Sequence, residues 1–367
     1  SAASDVYKRQ YRRCIMNNFE ALNHYTIPSD VLMDMLSIYR LLGMNHEYQK
    51  RLQDQEAYLE QDVIEKDTFY LANLIGISIS SNRLRLLIAK NAVPKNKEEE
   101  QVVGIKKVVK LIRKNAREHL TYNGSDILDY LNIIFGKHTT KFTPMMQDKK
   151  SAFIRPLSIR VAFERMLEEY HNYIKGNLFE HIFLSVIAYM EIVNLKPYTS
   201  HNELAGVLAL YHMILTCDVI SFSYISFFEI YTKMKDQIST AVAKGSINYF
   251  DNYLKTTDTV RLIFKFIDTS YQQLINLIKN YSYQERAFKS DILEVTIIQK
   301  MPTYFTKDDL RRIHPDASDS TINRILFKLR DEKIILPLGK GRSAKWMKLI
   351  KEDDPRVIFG VNYEKRD

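Results

Sequence analysis

The helical spacing of apolar residues is the feature that most constrains how this chain can fold. Apolar residues recur at positions i, i+3, i+4 and i+7 over long stretches, as on one face of an α-helix. Only 11 glycines and 9 prolines interrupt 367 residues, and the Val/Thr alternation typical of strands is rare. The sequence therefore predicts a mainly α protein, long enough for two or three domains.

The most apolar segment is Leu204–Cys217, which also contains His212. It is shorter than the roughly 20 residues that a bilayer-spanning helix needs. We therefore expect a helix that is buried on all sides, with Leu208 and Leu215 in the core, and no membrane association.

Charge and cysteine content give weaker constraints. The net charge of +9 favours an anionic partner without identifying one. The most basic helix, Gln101–Leu120, is interpreted as having a solvated cationic face rather than a surface for nucleic acid or membrane. Two cysteines, Cys14 and Cys217, are too few for a disulfide framework and predict a reducing cytoplasm, with Cys217 in the core.

The chain is expected to divide into several regions. The run Asp5–Gln10 matches a translated sequencing adapter, so residues 1–10 are expected to be an artefact. We predict an N-terminal helical region, a helical core, a C-terminal domain and a tail. Their expected ranges are 11–100, 101–284, 285–350 and 351–367.

The pattern changes after about Glu285. Helices are predicted at Asp291–Lys300, from a capped start at Thr306 to Ile313, and at Ser320–Glu332. Two strands, Lys333–Leu338 and Ala344–Leu349, then flank the turn Gly339–Arg342. Three helices followed by a basic two-stranded wing form the order of a winged helix-turn-helix domain.

In such a domain the third helix enters the major groove of double-stranded DNA and the wing contacts phosphates. An apolar stripe leaves the other faces of this helix polar, and Trp346 is expected to anchor its strand in the small core. The predicted DNA-binding residues are Ser320, Thr321, Asn323, Arg324, Lys328, Lys340, Arg342 and Lys345. A protein-contact or dimerisation module is the alternative, and a homodimer fits either function.

One loop resembles the active-site loop of the Fic (filamentation induced by cAMP) family, which reads H-P-F-x-(D/E)-G-N-G-R. Here it reads Lys196-Pro197-Tyr198-Thr199-Ser200-His201-Asn202-Glu203-Leu204, between an aromatic-bearing helix and the apolar helix. Pro197 and Asn202 match, and Tyr198 conservatively replaces phenylalanine. The resemblance implies a Fic/Fido helical core with an N-terminal helical region and a C-terminal winged helix.

The departures from this pattern concern the chemistry. In the family the histidine is the general base and the acidic residue holds magnesium; here these positions are Lys196 and Ser200. The two glycines that cradle the phosphates are replaced by His201 and Glu203, and the phosphate-clamping arginine by Leu204. Loss of a positioned base alone typically costs about 10²–10⁴-fold in rate. We therefore predict no catalytic residues and no cofactor.

An inhibitory motif of the family is also altered. The run from Ser81 to Leu86 resembles the family's S-x-x-x-E-(G/N) pattern, in which the glutamate pairs with a second phosphate-clamping arginine. Here those two positions are Arg85 and Val207. Loss of both partners is expected where the active site has lost its function.

These observations predict a cytoplasmic DNA-binding regulator without transferase activity. One alternative is an active adenylyltransferase with an atypical loop, which would use ATP and magnesium. Another is a scaffold whose emptied groove binds a protein partner by strand addition at a flap, Lys137–Arg155. No metal site is expected, because the four histidines of this region lack paired ligand spacing: His171, His181, His201 and His212.

Overall fold

The computed structural model describes residues 19, 22, 26–119, 121–144, 158–249, 253–286, 293–314, 317–339 and 344–349. The chain divides into two compact units. The first unit contains residues 1–78 and 93–274, and the second contains residues 79–92 and 275–367. The predicted boundary at residue 100 has no counterpart in this division. The expected artefact and the tail lie outside the described residues.

The described residues are mainly helical, which confirms the predicted fold class. The helices up to residue 135 are α1 (Ser29–Leu42), α2 (Asn45–Leu52), α3 (Glu56–Leu74), α4 (Ser81–Lys90), α5 (Lys97–Arg117) and α6 (Gly124–Phe135). The next helices are α7 (Ile159–Lys175), α8 (His181–Leu195), α9 (Asn202–Thr216), α10 (Ser221–Tyr224), α11 (Phe227–Gly245) and α12 (Thr257–Arg286). Helix α4 belongs to the second unit, and the boundary near residue 274 falls within α12.

The apolar helix predicted at Leu204–Cys217 is α9, which lies in the centre of the first unit. Residues 204–214 are all buried, including Leu208 at 0% exposure. The prediction was wrong for Leu215, which is half-buried because it lies in the last turn, where the helix leaves the core. No helix among the described residues is long and apolar enough to cross a membrane.

A buried ion pair connects the N-terminal helices to the rest of the first unit. Asp67 on α3 accepts hydrogen bonds from the hydroxyls of Tyr211 and Ser226 at 2.9 and 2.7 Å. Arg113 on α5 lies 4.0 Å from the Asp67 carboxylate and donates to the carbonyl oxygen of Phe222 at 2.8 Å. These bonds explain why residues on either side of position 100 form one unit.

Arg113 also corrects the interpretation of the basic helix. We expected its cations to lie on a solvated face, but the Arg113 side chain is only 5% exposed. The carboxylate that neutralises Arg113 belongs to Asp67 on another helix, α3. The apolar periodicity within α5 therefore gives no indication that Arg113 is buried. Lys106 on the same helix is buried as well.

The second unit contains a small mixed module. The elements that follow α12 are a π-helix (Thr296–Lys300), β1 (Tyr304–Thr306), α13 (Lys307–Ile313), α14 (Asp319–Asp331), β2 (Ile335–Pro337) and β3 (Lys345–Lys348). The strands form an antiparallel sheet in the order β1-β3-β2. We refer to the described residues from 293 to 349 as the C-terminal module.

The predicted elements of this module are found with small differences. The predicted capped start at Thr306 is confirmed, since its side chain and that of Asp309 form a reciprocal capping box. Trp346 is 4% exposed in the module core, opposite Phe305 of β1. Strand β1 was not predicted, because three residues are too few to show an alternating pattern.

Candidate functional site

The loop between α8 and α9 is a tight connection between two helix ends. Lys196 ends α8 in the left-handed conformation, with φ of 48°, and its N–H donates to the carbonyl of Ile192. His201 precedes α9 in the same conformation, with φ of 60°, and gives no side-chain cap to that helix. The turn is thus made by non-glycine residues in a backbone region that usually favours glycine.

The loop is held by a short strand-like pairing with residues 141–143. Thr143 donates its N–H to the carbonyl of Pro197 at 2.8 Å, and Thr199 donates to that of Lys141 at 2.9 Å. Phe142 and Tyr198 form the antiparallel bridge between these bonds. The beginning of the predicted flap therefore pairs with the loop, while residues 145–155 lie outside the described part of the chain.

The residues that match the family motif have structural roles in this loop. The Tyr198 hydroxyl donates to the carbonyl of Gly124 at 2.6 Å. The Asn202 side chain accepts from the Tyr198 N–H at 2.9 Å and donates to the Tyr198 carbonyl at 2.7 Å. Tyr198 is 2% exposed, and burial raises the pKa of its hydroxyl. These hydrogen bonds fix the loop through groups of the protein itself.

Loop side chains that differ from the family motif also make contacts within the protein. The His201 ring stacks on Phe135, with the ring centres 3.6 Å apart and the planes within 5°. Partial removal from water lowers the pKa of His201, so the ring is neutral at neutral pH. The Ser200 hydroxyl lies 3.2 Å from that of Thr140. Both side chains are therefore engaged with neighbouring residues of the protein.

A cavity of about 720 Å³ opens beside the loop within the first unit. Lys196, His201, Asn202 and Glu203 line it from the loop and the start of α9. Other lining residues come from the C-terminal end of α3 and the residue after it, and from α8, α9 and α11; they include Leu74, Ile75, Tyr189, Val193, Leu204, Val207, Tyr231, Lys235, Ser239 and Val242. The cavity combines an apolar wall with a few polar groups, as small-molecule sites do.

The two positions that correspond to the family's arginines are Leu204 and Val207. Both side chains are buried, at 8% and 4% exposure, and both line the cavity. The cavity thus has apolar side chains where the resemblance would place two phosphate-binding cations.

The described residues hold no group of three or more His, Cys, Asp or Glu side chains suited to a metal ion. His171 contacts the carbonyl of Tyr122 at 2.8 Å, and the His212 ring packs against that of Tyr122 at a centre distance of 4.6 Å and a tilt of 35°. Cys217 is a half-buried free thiol whose pKa burial raises to about 12, so it is protonated at neutral pH.

The residues of the altered inhibitory motif lie on α4. That helix belongs to the second unit, whereas the loop belongs to the first. Arg85 is half-buried and interacts within the protein. The side chain of Ser81 lies outside the described part of the structure.

The C-terminal module presents some of the predicted DNA-binding residues on one surface. Ser318 caps α14, and its hydroxyl lies 2.8 Å from those of Ser320 and Thr321. Ser320 and Arg324 are exposed, and a spacing of four residues places them on the same helix face. Arg324 forms no ion pair with any described residue.

Other predicted DNA-binding residues are paired with another side chain, are half-buried, or lie on a different element of the module. Lys328 forms an ion pair with Glu294 at 2.6 Å, a partner 34 residues upstream. Asn323 is half-buried, and its Oδ1 is buried without a hydrogen-bond partner. Lys345 is exposed on β3, opposite Thr306. Lys340 and Arg342 lie outside the described residues.

Sequence analysis missed three residues of the cavity, namely Tyr189, Tyr231 and Lys235. Tyr189 lies on α8, whereas Tyr231 and Lys235 lie on α11, more than 40 positions further along the chain. Helix α8 is buried along most of its length and α11 is amphipathic, so only the packing of the two helices brings the three residues together. No sequence signal would have identified them.

Comparisons with known proteins give similarity of structure only. No protein-family model and no curated protein sequence matches the chain. A Fic family protein from Desulfovibrio desulfuricans G20 is 10% identical, with 89% of this chain and 98% of that one covered and a TM-score of 0.49. A Fic domain containing signaling protein from Bacteroides thetaiotaomicron VPI-5482 is 12% identical, with 67% and 98% covered and a TM-score of 0.48.

Fic-1 from C. elegans (residues 134–508) is also similar, at 15% identity. The match covers 68% of this chain and 74% of that one, with a TM-score of 0.45. These identities and scores are too low to carry an argument about activity or partners. The family of this chain is therefore a proposal.

Proposed function

We propose that this chain is a DNA-binding regulator whose C-terminal module is a winged helix, joined to a Fic-like unit that lacks transferase activity. Two groups of residues support this proposal. Exposed polar residues at the start of α14 suit contacts with a duplex, and the loop between α8 and α9 lacks the groups that phosphoryl chemistry needs.

The observation that carries the DNA-binding proposal is the exposed N-terminal half of α14. Its opposite face packs into the module core through Ile322, Ile325 and Leu326, so the helix is held rigidly. Ser320 and Arg324 then lie outward at its N-terminal end, the part of a recognition helix that meets base edges. A guanidinium without an ion pair can form two hydrogen bonds with guanine.

We expect the purified protein to transfer no AMP from labelled ATP in the presence of magnesium. The variant Lys196→His should remain inactive, because one restored base supplies neither a magnesium ligand nor the phosphate-binding groups. Labelling is followed by autoradiography after gel electrophoresis. Incorporation of label by the unmodified protein that is lost in Lys196→Ala would show that the loop is catalytic.

We expect Arg324→Ala to weaken binding to a preferred duplex, first selected from a random pool, by about 1–3 kcal/mol. Binding to random DNA should change little, because a base-reading side chain contributes mainly on its own site. Fluorescence anisotropy with both duplexes measures the difference.

The matched control is Arg330→Ala on the same helix. Arg330 lies in the last turn, where it pairs with Asp331 at 2.7 Å and covers the Phe327 ring. Its loss should leave the preference between the two duplexes unchanged. If the parent and both variants prefer the selected duplex over random DNA to the same degree, Arg324 does not read a base.

A protein contact is the second candidate function for the module. The outer face of its sheet exposes Tyr304 and Leu336, at 58% and 42%, on either side of Met347. Such an apolar row suits self-association better than it suits a phosphate backbone. A concentration-dependent dimer that Leu336→Glu dissociates, without any DNA binding, would favour this function.

A further inference from the structure

The cavity beside the loop contains a hydrogen-bond donor that the protein leaves unused. The hydroxyls of Tyr189 and Tyr231 are 3.5 Å apart, and both residues are 3% exposed. In such a pair only one hydroxyl donates to the other. The second O–H proton has no acceptor among the described residues, although both tyrosines line the cavity. Burial raises the pKa of both groups, so both remain protonated donors.

The charged groups of the cavity leave a net positive charge. Lys196 and Lys235 line it together with one acidic residue, Glu203. Neither lysine forms an ion pair with any residue in the described ranges. Lys235 is half-buried and lines the cavity, so its charge lies close to this space and attracts an anion.

Much of the remaining wall is aliphatic. Leu74, Val193, Leu204, Val207 and Val242 contribute aliphatic side chains. The volume of about 720 Å³ lies within the roughly 300–1,000 Å³ of small-molecule sites. An aromatic or aliphatic body is therefore a better fit for this wall than a hydrated group.

A polyphosphate fits the cavity poorly. The start of a helix normally attracts anions through its N–H groups. In α9 the first turn contains Glu203, whose carboxylate already offsets that charge. Several phosphate charges would also require more cations than the two lysines that line the cavity.

We propose that this cavity binds a small organic anion, with an apolar body against the aliphatic wall and one carboxylate or sulfonate group facing Lys235. The unused tyrosine hydroxyl donates a hydrogen bond to the same ligand. This binding is separate from the proposed DNA contact and does not depend on it.

The test uses two fluorescent dyes with similar apolar bodies and different charge. They are 8-anilinonaphthalene-1-sulfonate, an anion, and N-phenyl-1-naphthylamine, which is neutral. Both should bind the full chain and increase in fluorescence. In Lys235→Gln the affinity for the anionic dye should fall about tenfold, while affinity for the neutral dye changes less than about twofold. Lys244→Gln, an exposed position on α11 outside the cavity, is the matched control and should behave as the parent.

A second variant locates the dyes. Ser239 is exposed and lines the cavity, so Ser239→Trp should fill the space and abolish binding of both dyes without disturbing the core. Circular dichroism checks that each variant is folded. Three results would overturn the proposal: equal binding of the anionic dye by Lys235→Gln and the parent, undiminished binding of both dyes by Ser239→Trp, or displacement of the dye by ATP with magnesium.

Discussion

Replacing Asp67 with alanine should destabilise the first unit by about 3–5 kcal/mol, because it leaves Arg113 buried without its counter-charge. Both side chains are at most 5% exposed, so water cannot take the place of the lost carboxylate. The same change removes the acceptor for the hydroxyls of Tyr211 and Ser226. Denaturant unfolding followed by circular dichroism measures the loss.

The control for this prediction is Asp62→Ala on the same helix. Asp62 pairs with Lys66 at 2.8 Å near the surface, with both side chains at least 20% exposed. Partly solvated pairs of this kind contribute at most about 1 kcal/mol. Equal losses in the two variants would show that Asp67 has no special part in joining the N-terminal helices to the core.

Replacing Leu208 with alanine should cost about 2–5 kcal/mol, through lost burial and the cavity left behind. The residue is fully buried in the middle of α9, with helices packed on several sides, so the surroundings can collapse only in part. Thermal unfolding measures the effect. Leu215→Ala, at the half-buried end of the same helix, should cost clearly less, and the reverse order would contradict the position of α9 in the core.

Local patterns were sufficient to predict most of the helices and the order of the C-terminal module. The run from Leu204 is apolar on every face, and a helix of that composition has to lie inside the protein. The capped start at Thr306 was predicted because a threonine three residues before an acidic residue is a local signal. Such features depend only on neighbouring residues, so the sequence displays them directly.

Features that depend on distant partners could not be predicted in the same way. Arg113 is buried because Asp67 lies on another helix, and Lys328 is paired with Glu294 from an earlier segment. In the cavity, the tyrosine pair and Lys235 come together only when α8 and α11 pack. Sequence analysis therefore drew attention to the loop and to its departures from the family pattern, but not to the other residues of the cavity beside it.

The central claim is that the chain binds duplex DNA through the C-terminal module. The most direct measurement is a titration of the full chain with a labelled duplex at several salt concentrations. We expect the logarithm of the affinity to fall linearly with the logarithm of the salt concentration, with a slope of about −0.9 for each phosphate contacted. Absence of binding at the lowest salt concentration, or an affinity that does not respond to salt, would contradict the claim.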